Sequence, residues 1–402
     1  MSYLTFVLRE RRLLTFGVSL TFFSSFGQTF LIALFVPFFL DVYQLSNSGF
    51  GLVYSAATLS SALILPWLGQ WIDRVPLRWY SLWVAVGLMA ASLMVMVSWH
   101  ISVLFMAIAL LRLCGQGLSG HTAQTSMARF YDRERGKALS VSSLGYPLGE
   151  ALLPLAVATL LTLFHWRVTW GIIAFGIGAV LIPVLYLLVG RTREGRLNPS
   201  ESDEAADSAI KNYEKVFSDN RIWYVIPAVL MPPFWITGLF LYQIRIGSEF
   251  GWTASLIATA FIFFALARTL ASIGVGPAID RFSARTLFPF YLLPMALGFL
   301  MPVLVQADWV AFFYMALFGT TMGFGSNVKS ALWAELYGTG MIGTVRSLIS
   351  SLMVLSTAVS PFLVGWMLDA DISMVSLLIL AIASIAASTL LAFRVHPWFD
   401  PK

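Results

Sequence analysis

Charge is scarce in this chain. Only 11% of its 402 residues are charged, while 58% are hydrophobic. A soluble protein carries about 25% charged residues. So few charges cannot dress a water-facing surface, which excludes a soluble globular domain and leaves lipid as the solvent for the apolar excess. Cysteine is almost absent: Cys114 stands alone, so no disulfide framework exists and a structural thiol is expected. The four histidines (His100, His121, His165, His396) are scattered without metal-ligand spacing, and no metal site is expected. No G-x-x-x-x-G-K-[ST] loop is present, which leaves ATP-driven pumping unsupported. No nucleophile elbow or dinucleotide glycine pattern stands in a credible context, so neither catalytic residues nor a cofactor is expected, and the chain does not read as an enzyme. There is no N-x-[ST] acceptor once Asn-Pro-Ser is set aside, in keeping with a bacterial inner membrane. Ten-residue segments of alternating polarity, the mark of a membrane barrel, are missing as well. The first apolar run is too long for a cleavable signal and lacks a small-residue cleavage site.

What is abundant is long apolar sequence. Residues 13–40, 79–111, 168–190, 222–244, 286–307, 347–368 and 372–393 contain no charge at all, and a spanning helix needs about 20 apolar residues. Twelve spans are predicted, over 13–40, 48–68, 79–98, 101–127, 138–163, 166–189, 222–246, 253–273, 286–305, 309–328, 343–367 and 372–393. Lysine and arginine fix their orientation. All but four of the 25 basic residues fall in one alternate set of loops and the two tails; the exceptions are Arg167 and Arg245 on the opposite side and Arg112 and Arg268 within helices. Positive loops mark the cytoplasmic side, so both termini are expected there. The net charge of +5 is accordingly a topology signal, and no nucleic-acid partner is expected. The longest polar stretch, 191–221, reads as a cytoplasmic linker between an N-terminal bundle over 1–190 and a C-terminal bundle over 222–402.

The two halves echo each other. GQWIDRVPLR at 69–78 and GPAIDRFSAR at 276–285 share G-x-x-I-D-R-x-x-x-R, 207 residues apart. Gly136 and Ser140 match Gly343 and Ser347 at the same offset. Two matches in equivalent places argue for a duplicated six-helix unit, an architecture known among secondary transporters. With these features the chain resembles the major facilitator superfamily, whose loop signature between helices 2 and 3, with a weaker copy between helices 8 and 9, is similar to both decapeptides. The resemblance covers nearly the whole chain. Pro76 and Ser283 depart from it, standing where the pattern has glycine. It implies an all-α integral membrane protein of twelve transmembrane helices in two pseudo-symmetric six-helix bundles, working by alternating access. In the loop copies, Asp73 and Asp280 can cap a helix or accept from arginine, and Arg74, Arg78, Arg281 and Arg285 can pair to hold one mouth closed; a gating role is assigned to all six.

Charges inside the bilayer are costly and default to function. Three qualify. At about 1.5 Å per residue, Arg112, Glu150 and Arg268 lie roughly 16, 20 and 22 Å from the outer ends of their helices, near the midplane. Two partners are open to Glu150: Arg112 on the adjacent helix or, by the resemblance, Arg268. A carboxyl able to change its protonation there can couple proton flow to transport. One carboxylate against two arginines leaves a net positive site, which favours an anionic solute such as a carboxylate, since arginine grips carboxylates through two parallel hydrogen bonds. An arginine on helix 8 also resembles the monocarboxylate and oxalate–formate branches. The superfamily lines its cavity with helices 1, 4, 7 and 10, which by resemblance nominates Gln28, Arg112, Gln116, Trp235 and Asn327 as substrate-binding residues beside Arg268. Trp235 follows Pro232 and Pro233, where a break in helix 7 is predicted. The expected protein is a proton-coupled secondary transporter of a small organic solute, monomeric in the lipid bilayer of the cytoplasmic membrane. An efflux antiporter of the same fold is the alternative, and solute charge would separate the two.

Overall fold

The computed structural model describes residues 3–131, 134–189, 214, 216–338 and 342–397. Among these, ten helices are long and apolar enough to cross a membrane, and one bent pair makes an eleventh. Twelve spans emerge in chain order. The first, α1, comprises Arg11–Gly27 and Thr29–Tyr43, joined at a 46° bend. Then come α2 (Asn47–Asp73), α3 (Leu77–Met96), α4 (Ile101–Phe130), α5 (Arg135–Leu163) and α6 (Trp166–Leu188). The second half holds α7 (Asn220–Leu241), α8 (Ala254–Phe282), α9 (Ala284–Leu304), α10 (Trp309–Tyr337), α11 (Ile342–Asp369) and α12 (Met374–Val395). At 29 residues α10 is long enough to span. Its second half carries Ser326, Asn327, Lys329, Ser330 and Glu335.

The chain divides into two compact units, Met1–Leu197 and Asn198–Lys402. Most of the predicted linker lies outside the described residues. Side-chain caps start several spans: Ser46 accepts from the Gly49 amide at α2, Thr253 from Leu256 at α8, and Asp219 from Arg221 at α7. Each satisfies an amide that the first turn leaves without an intrahelical partner. Outward faces are apolar. Leu52, Leu59, Leu63 and Trp67 form an exposed stripe on α2, and Trp79, Trp83, Val86 and Leu93 continue it on α3. Such helical spacing of exposed large apolar residues suits contact with lipid.

Small residues set the internal seams. In the second unit, Cβ atoms on Gly319 and Gly323 would stand 2.1 Å from the Phe264 and Arg268 carbonyl oxygens, so α10 lies backbone to backbone on α8. This is the small-xxx-small mode of packing. Helix α7 runs unbroken through Pro227, Pro232 and Pro233, so the break predicted there is absent. The discontinuity falls in α1 instead, at Gln28. The predicted end of α10 is also corrected: the helix continues past Val328 to Tyr337, and Lys329, read from sequence as a loop cation, lies inside it.

Candidate functional site

In the first unit the chemistry gathers where α1 breaks. Residues Ser24–Gly27 tighten into a 3₁₀ turn, Gln28 is extended (φ −87°, ψ 150°), and helix resumes at Thr29. Opposite this break α4 widens into a π-helical stretch over Leu111–Ser119. The Ser119 hydroxyl donates to the Cys114 carbonyl five residues back, in step with the wider register. Such stretches recur at functional sites. The two irregularities touch. A Cβ on Gly27 would stand 2.2 Å from the Leu111 carbonyl oxygen, and one on Gly115 would stand 2.7 Å from the Gly27 Cα.

Arg112 occupies this seam, 3% exposed. Its Nη1 donates to the Gly27 carbonyl (3.2 Å) and to Thr29 Oγ1 (3.4 Å), and its guanidinium lies 5.3 Å from the centre of the Tyr54 ring. The Tyr54 hydroxyl and Thr29 Oγ1 share a hydrogen bond of 2.9 Å. These partners are neutral, and Nε has no hydrogen-bond partner among the described residues. A guanidinium carries five donors, so this one keeps both spare donors and its net charge. Gln116, one turn on, is exposed, and Gln28 is half-buried at the break. Helix α5 brings Glu150 to the same level: the adjoining Gly149 leaves no room for a Cβ, which would stand 2.1 Å from Ser25 Oγ in the 3₁₀ turn. Glu150 is 7% exposed. The first unit therefore brings Gln28, Arg112, Gln116 and Glu150 to one level. Thr29 and Tyr54 complete the group, and sequence reasoning missed both, because a threonine and a tyrosine in apolar helices carry no signal by themselves.

In the second unit Arg268 is half-buried on α8. Asn327 donates its amide to the Ser272 carbonyl (2.7 Å) and hydroxyl (3.1 Å), which spends it on fastening α10 to α8. Trp235 is 3% exposed, donates to Ser384 Oγ at 2.8 Å and packs edge-on against Phe299. Its placement is that of a packing residue between α7, α9 and α12.

The duplicated loops are each tied to their own unit. Asp73 forms an ion pair with Arg129 at the end of α4, and Arg129 also donates to the Ile72 carbonyl at 3.1 Å. The Arg78 guanidinium lies over the Tyr186 ring of α6, 3.5 Å from its centre, while Arg74 is exposed. In the second copy Asp280 and Arg281 belong to the last turns of α8 and are exposed. The Arg285 Nε donates to the Val395 carbonyl at 3.1 Å. Glu335 of α10 caps α9, accepting from the Ala284 amide (2.7 Å) and the Arg285 amide (3.0 Å). Ser283, one of the two departures from the resemblance, turns the chain at φ 68°, ψ 155°. A glycine would sit there without strain.

The same ends carry further polar ties. Tyr131 donates to Glu10 at 3.2 Å, and burial together with the Glu10 charge pushes its phenol well above the usual value. Burial pushes the Asp219 carboxyl up, but hydrogen bonds and charge from Arg221 outweigh it and hold it below the usual carboxylate range. Arg9, Glu134 and Lys137 cluster beside Tyr131. The charged ends of α1, α2–α3 and α4–α5 thus lie together in the first unit, as the loop charges predict. Among the described residues no group of three or more His, Cys, Asp or Glu could hold a metal ion.

The sequence profile of the Major Facilitator Superfamily matches residues 18–244. Among curated proteins none matches the chain in sequence. Among solved structures the chain is similar to a bacterial homologue of the human lysosomal transporter Spinster in an inward-facing, unoccupied conformation, at 15% identity and TM-score 0.68, over 97% of this chain and 96% of that one. It is also similar to the nucleoside transporter NupG, at 12% identity and TM-score 0.71, over 96% of this chain and 98% of that one. At such identities the likeness is one of fold.

Proposed function

We propose, from the premise that this chain belongs to the major facilitator superfamily and is therefore a membrane transporter, that it moves a small organic anion by proton-coupled alternating access. The observation that carries the proposal is Arg112: a buried guanidinium at mid-helix, held by neutral oxygens and a ring face. A cation kept at that depth on neutral partners is costly, and a carboxylate arriving beside it would relieve the cost. Gln28 and Gln116 offer amides at the same level, and Arg268 provides a second cation in the other half. Asn327 and Trp235 act through packing, as positioning residues. Glu150 is the proton carrier, because it is the buried carboxyl at the level of the α1 break. Asp73 with Arg129, and Glu335 with the α9 amides, hold their loop copies in place while Arg74, Asp280 and Arg281 remain available at the surface for gating. The loop charges orient both termini to the cytoplasm, in a cytoplasmic membrane.

Reconstituted vesicles test the proposal. Wild-type protein should accumulate labelled carboxylates against their gradient when the lumen is alkaline. Glu150→Gln should lose that uphill uptake while keeping counterflow exchange. Uphill uptake that survives the substitution would remove Glu150 from coupling, and transport confined to neutral or cationic solutes would remove the anion reading.

A further inference from the structure

Lys329 lies outside the site proposed above. It lies inside α10, eight residues before the helix ends at Tyr337, roughly 12 Å along the axis. A lysine near a membrane edge normally snorkels, running its apolar stem toward the nearer interface. Lys329 does the opposite. Its Cε lies 3.7 Å from where a Cβ on Gly325 would stand, so the stem folds back one full turn toward the helix middle. The glycine makes room for this arrangement, because a Cβ there would also meet the Tyr291 ring at 2.7 Å. The amine stands 5.8 Å from the centre of that ring, and the Tyr291 hydroxyl is committed to the Ala228 carbonyl. A ring face attracts a cation but accepts little hydrogen bonding from three ammonium donors. Among the described residues no carboxylate lies within ion-pair distance of Lys329. Lys329 as a residue is half-buried.

We infer that Lys329 is an anion-binding station in the second unit, one that takes a carboxylate of the transported solute. It is separate from Arg268. Gly319 and Gly323, facing α8, bracket the level of Arg268, whereas the Lys329 amine lies at the level of Gly325, on the side of α10 that meets Tyr291. About one turn along the helix and a different face of α10 divide the Lys329 amine from the Arg268 backbone. The inference rests on the anionic-solute reading above and adds a second contact point to it.

The test uses the full chain in nanodiscs of zwitterionic lipid. The thermal midpoint is titrated with sodium succinate and sodium acetate against sodium chloride at matched ionic strength. Carboxylate should stabilise the wild type. Lys329→Met should weaken its apparent affinity about tenfold or more, as loss of a charge-assisted hydrogen bond requires, and Lys329→Arg should keep most of it. Lys329→Gln serves if the methionine variant does not fold. Unchanged affinity in Lys329→Met, with affinity lost in Arg268→Ala, overturns the station and leaves the anionic reading standing. No carboxylate-specific stabilisation of the wild type overturns both. Stabilisation by phosphatidylglycerol in the discs, with none by succinate, would make this a lipid site and overturn the solute assignment.

Discussion

Substituting Gly27 by alanine isolates the seam on which the first-unit site depends. Neither Gly27 nor Gly115 has a positive φ, so alanine meets no backbone penalty and the effect is steric. The new Cβ would stand 2.2 Å from the Leu111 carbonyl oxygen, 2.6 Å from the Gln116 nitrogen and 2.8 Å from the Gly115 Cα. All three are backbone atoms, so no side chain can swing aside and α1 must move away from α4. Overpacking of this kind costs about 1–3 kcal/mol. Separation also lengthens the 3.2 Å bond from Arg112 to the Gly27 carbonyl, and a hydrogen bond to a charged group contributes about 1.5–3 kcal/mol. Together the loss is roughly 3–5 kcal/mol, which lowers the melting midpoint by on the order of 10 °C for a unit of this size. Intrinsic tryptophan fluorescence in detergent reads the midpoint, and carboxylate uptake should fall with it. Gly176→Ala is the control, since nothing lies within 4 Å of a Cβ there and alanine favours helix. A Gly27→Ala protein that melts within about 2 °C of wild type, a shift below 1 kcal/mol, would refute the tight seam.

Two further substitutions probe the charged ends. Ser283→Gly should stabilise the protein. Relief of the strained φ 68°, ψ 155° backbone is worth about 1–3 kcal/mol, against a few tenths for exchanging a serine cap for glycine. The midpoint should rise by a few degrees; a fall would show that the hydroxyl held to the Thr286 amide matters more than the strain. His396 is buried, and burial, with the Arg285 charge second, holds its imidazole below the usual value. The unfolded chain therefore takes up the proton first as pH falls. The stability linked to His396 is complete above about pH 6.5 and declines as pH drops from there toward the lower folded value. His396→Gln should flatten that decline in midpoints measured between about pH 7.5 and 5, the window over which a histidine titrates, and an unaltered slope would assign the decline to other groups.

The spans and the duplicated loops were legible because a bilayer enforces long apolar runs and sorts cations to one set of loops. The break in α1 was not. No proline marks it, and Ser24, Ser25 and Gly27 are ordinary in membrane helices; it exists because tertiary contact with the widened α4 replaces the missing helical bonds. Pro232 misled in the opposite sense. It deprives the Ala228 carbonyl, four residues earlier, of its donor, and the Tyr291 hydroxyl supplies one. Ser356 and Ser360 add hydrogen bonds from α11 to the nearby Leu230 and Phe234 carbonyls, further ties that hold α7 against its neighbour. Neighbouring helices thus keep α7 whole, a rescue that no local pattern encodes. Lys329 was misplaced for a related reason: the polar run from Ser326 to Ser330 resembles a helix end, whereas its uncharged groups are satisfied without ending the helix, Asn327 on Ser272 and the Ser326 and Ser330 hydroxyls on carbonyls of α10 itself.

The internal repeat separates what holds the scaffold from what serves the solute. At the offset of 207 residues the loop charges recur, Asp73 with Asp280 and Arg78 with Arg285. Each copy is fastened to the fourth helix of its own half, once by an ion pair from Arg129 and once by the Glu335 cap. Two different chemistries at one place argue that fastening the loop, rather than any particular contact, is the common requirement. The interior charges do not recur. Arg112 corresponds to Gly319, Lys329 to Thr122, Glu150 to Thr357 and Arg268 to Ser61. If these four charges were part of the scaffold, a duplicated fold would need them twice. Gly319 and Thr122 show that it does not, since the same helix positions are filled by a packing glycine and by a hydroxyl bonded to its own helix. The six-helix architecture therefore sets no symmetric requirement for a charge at the positions of Arg112 and Lys329, and the rest of the fold carries the cost of burying them. The anionic solute proposed above is a partner able to offset the burial of Arg112 and Lys329.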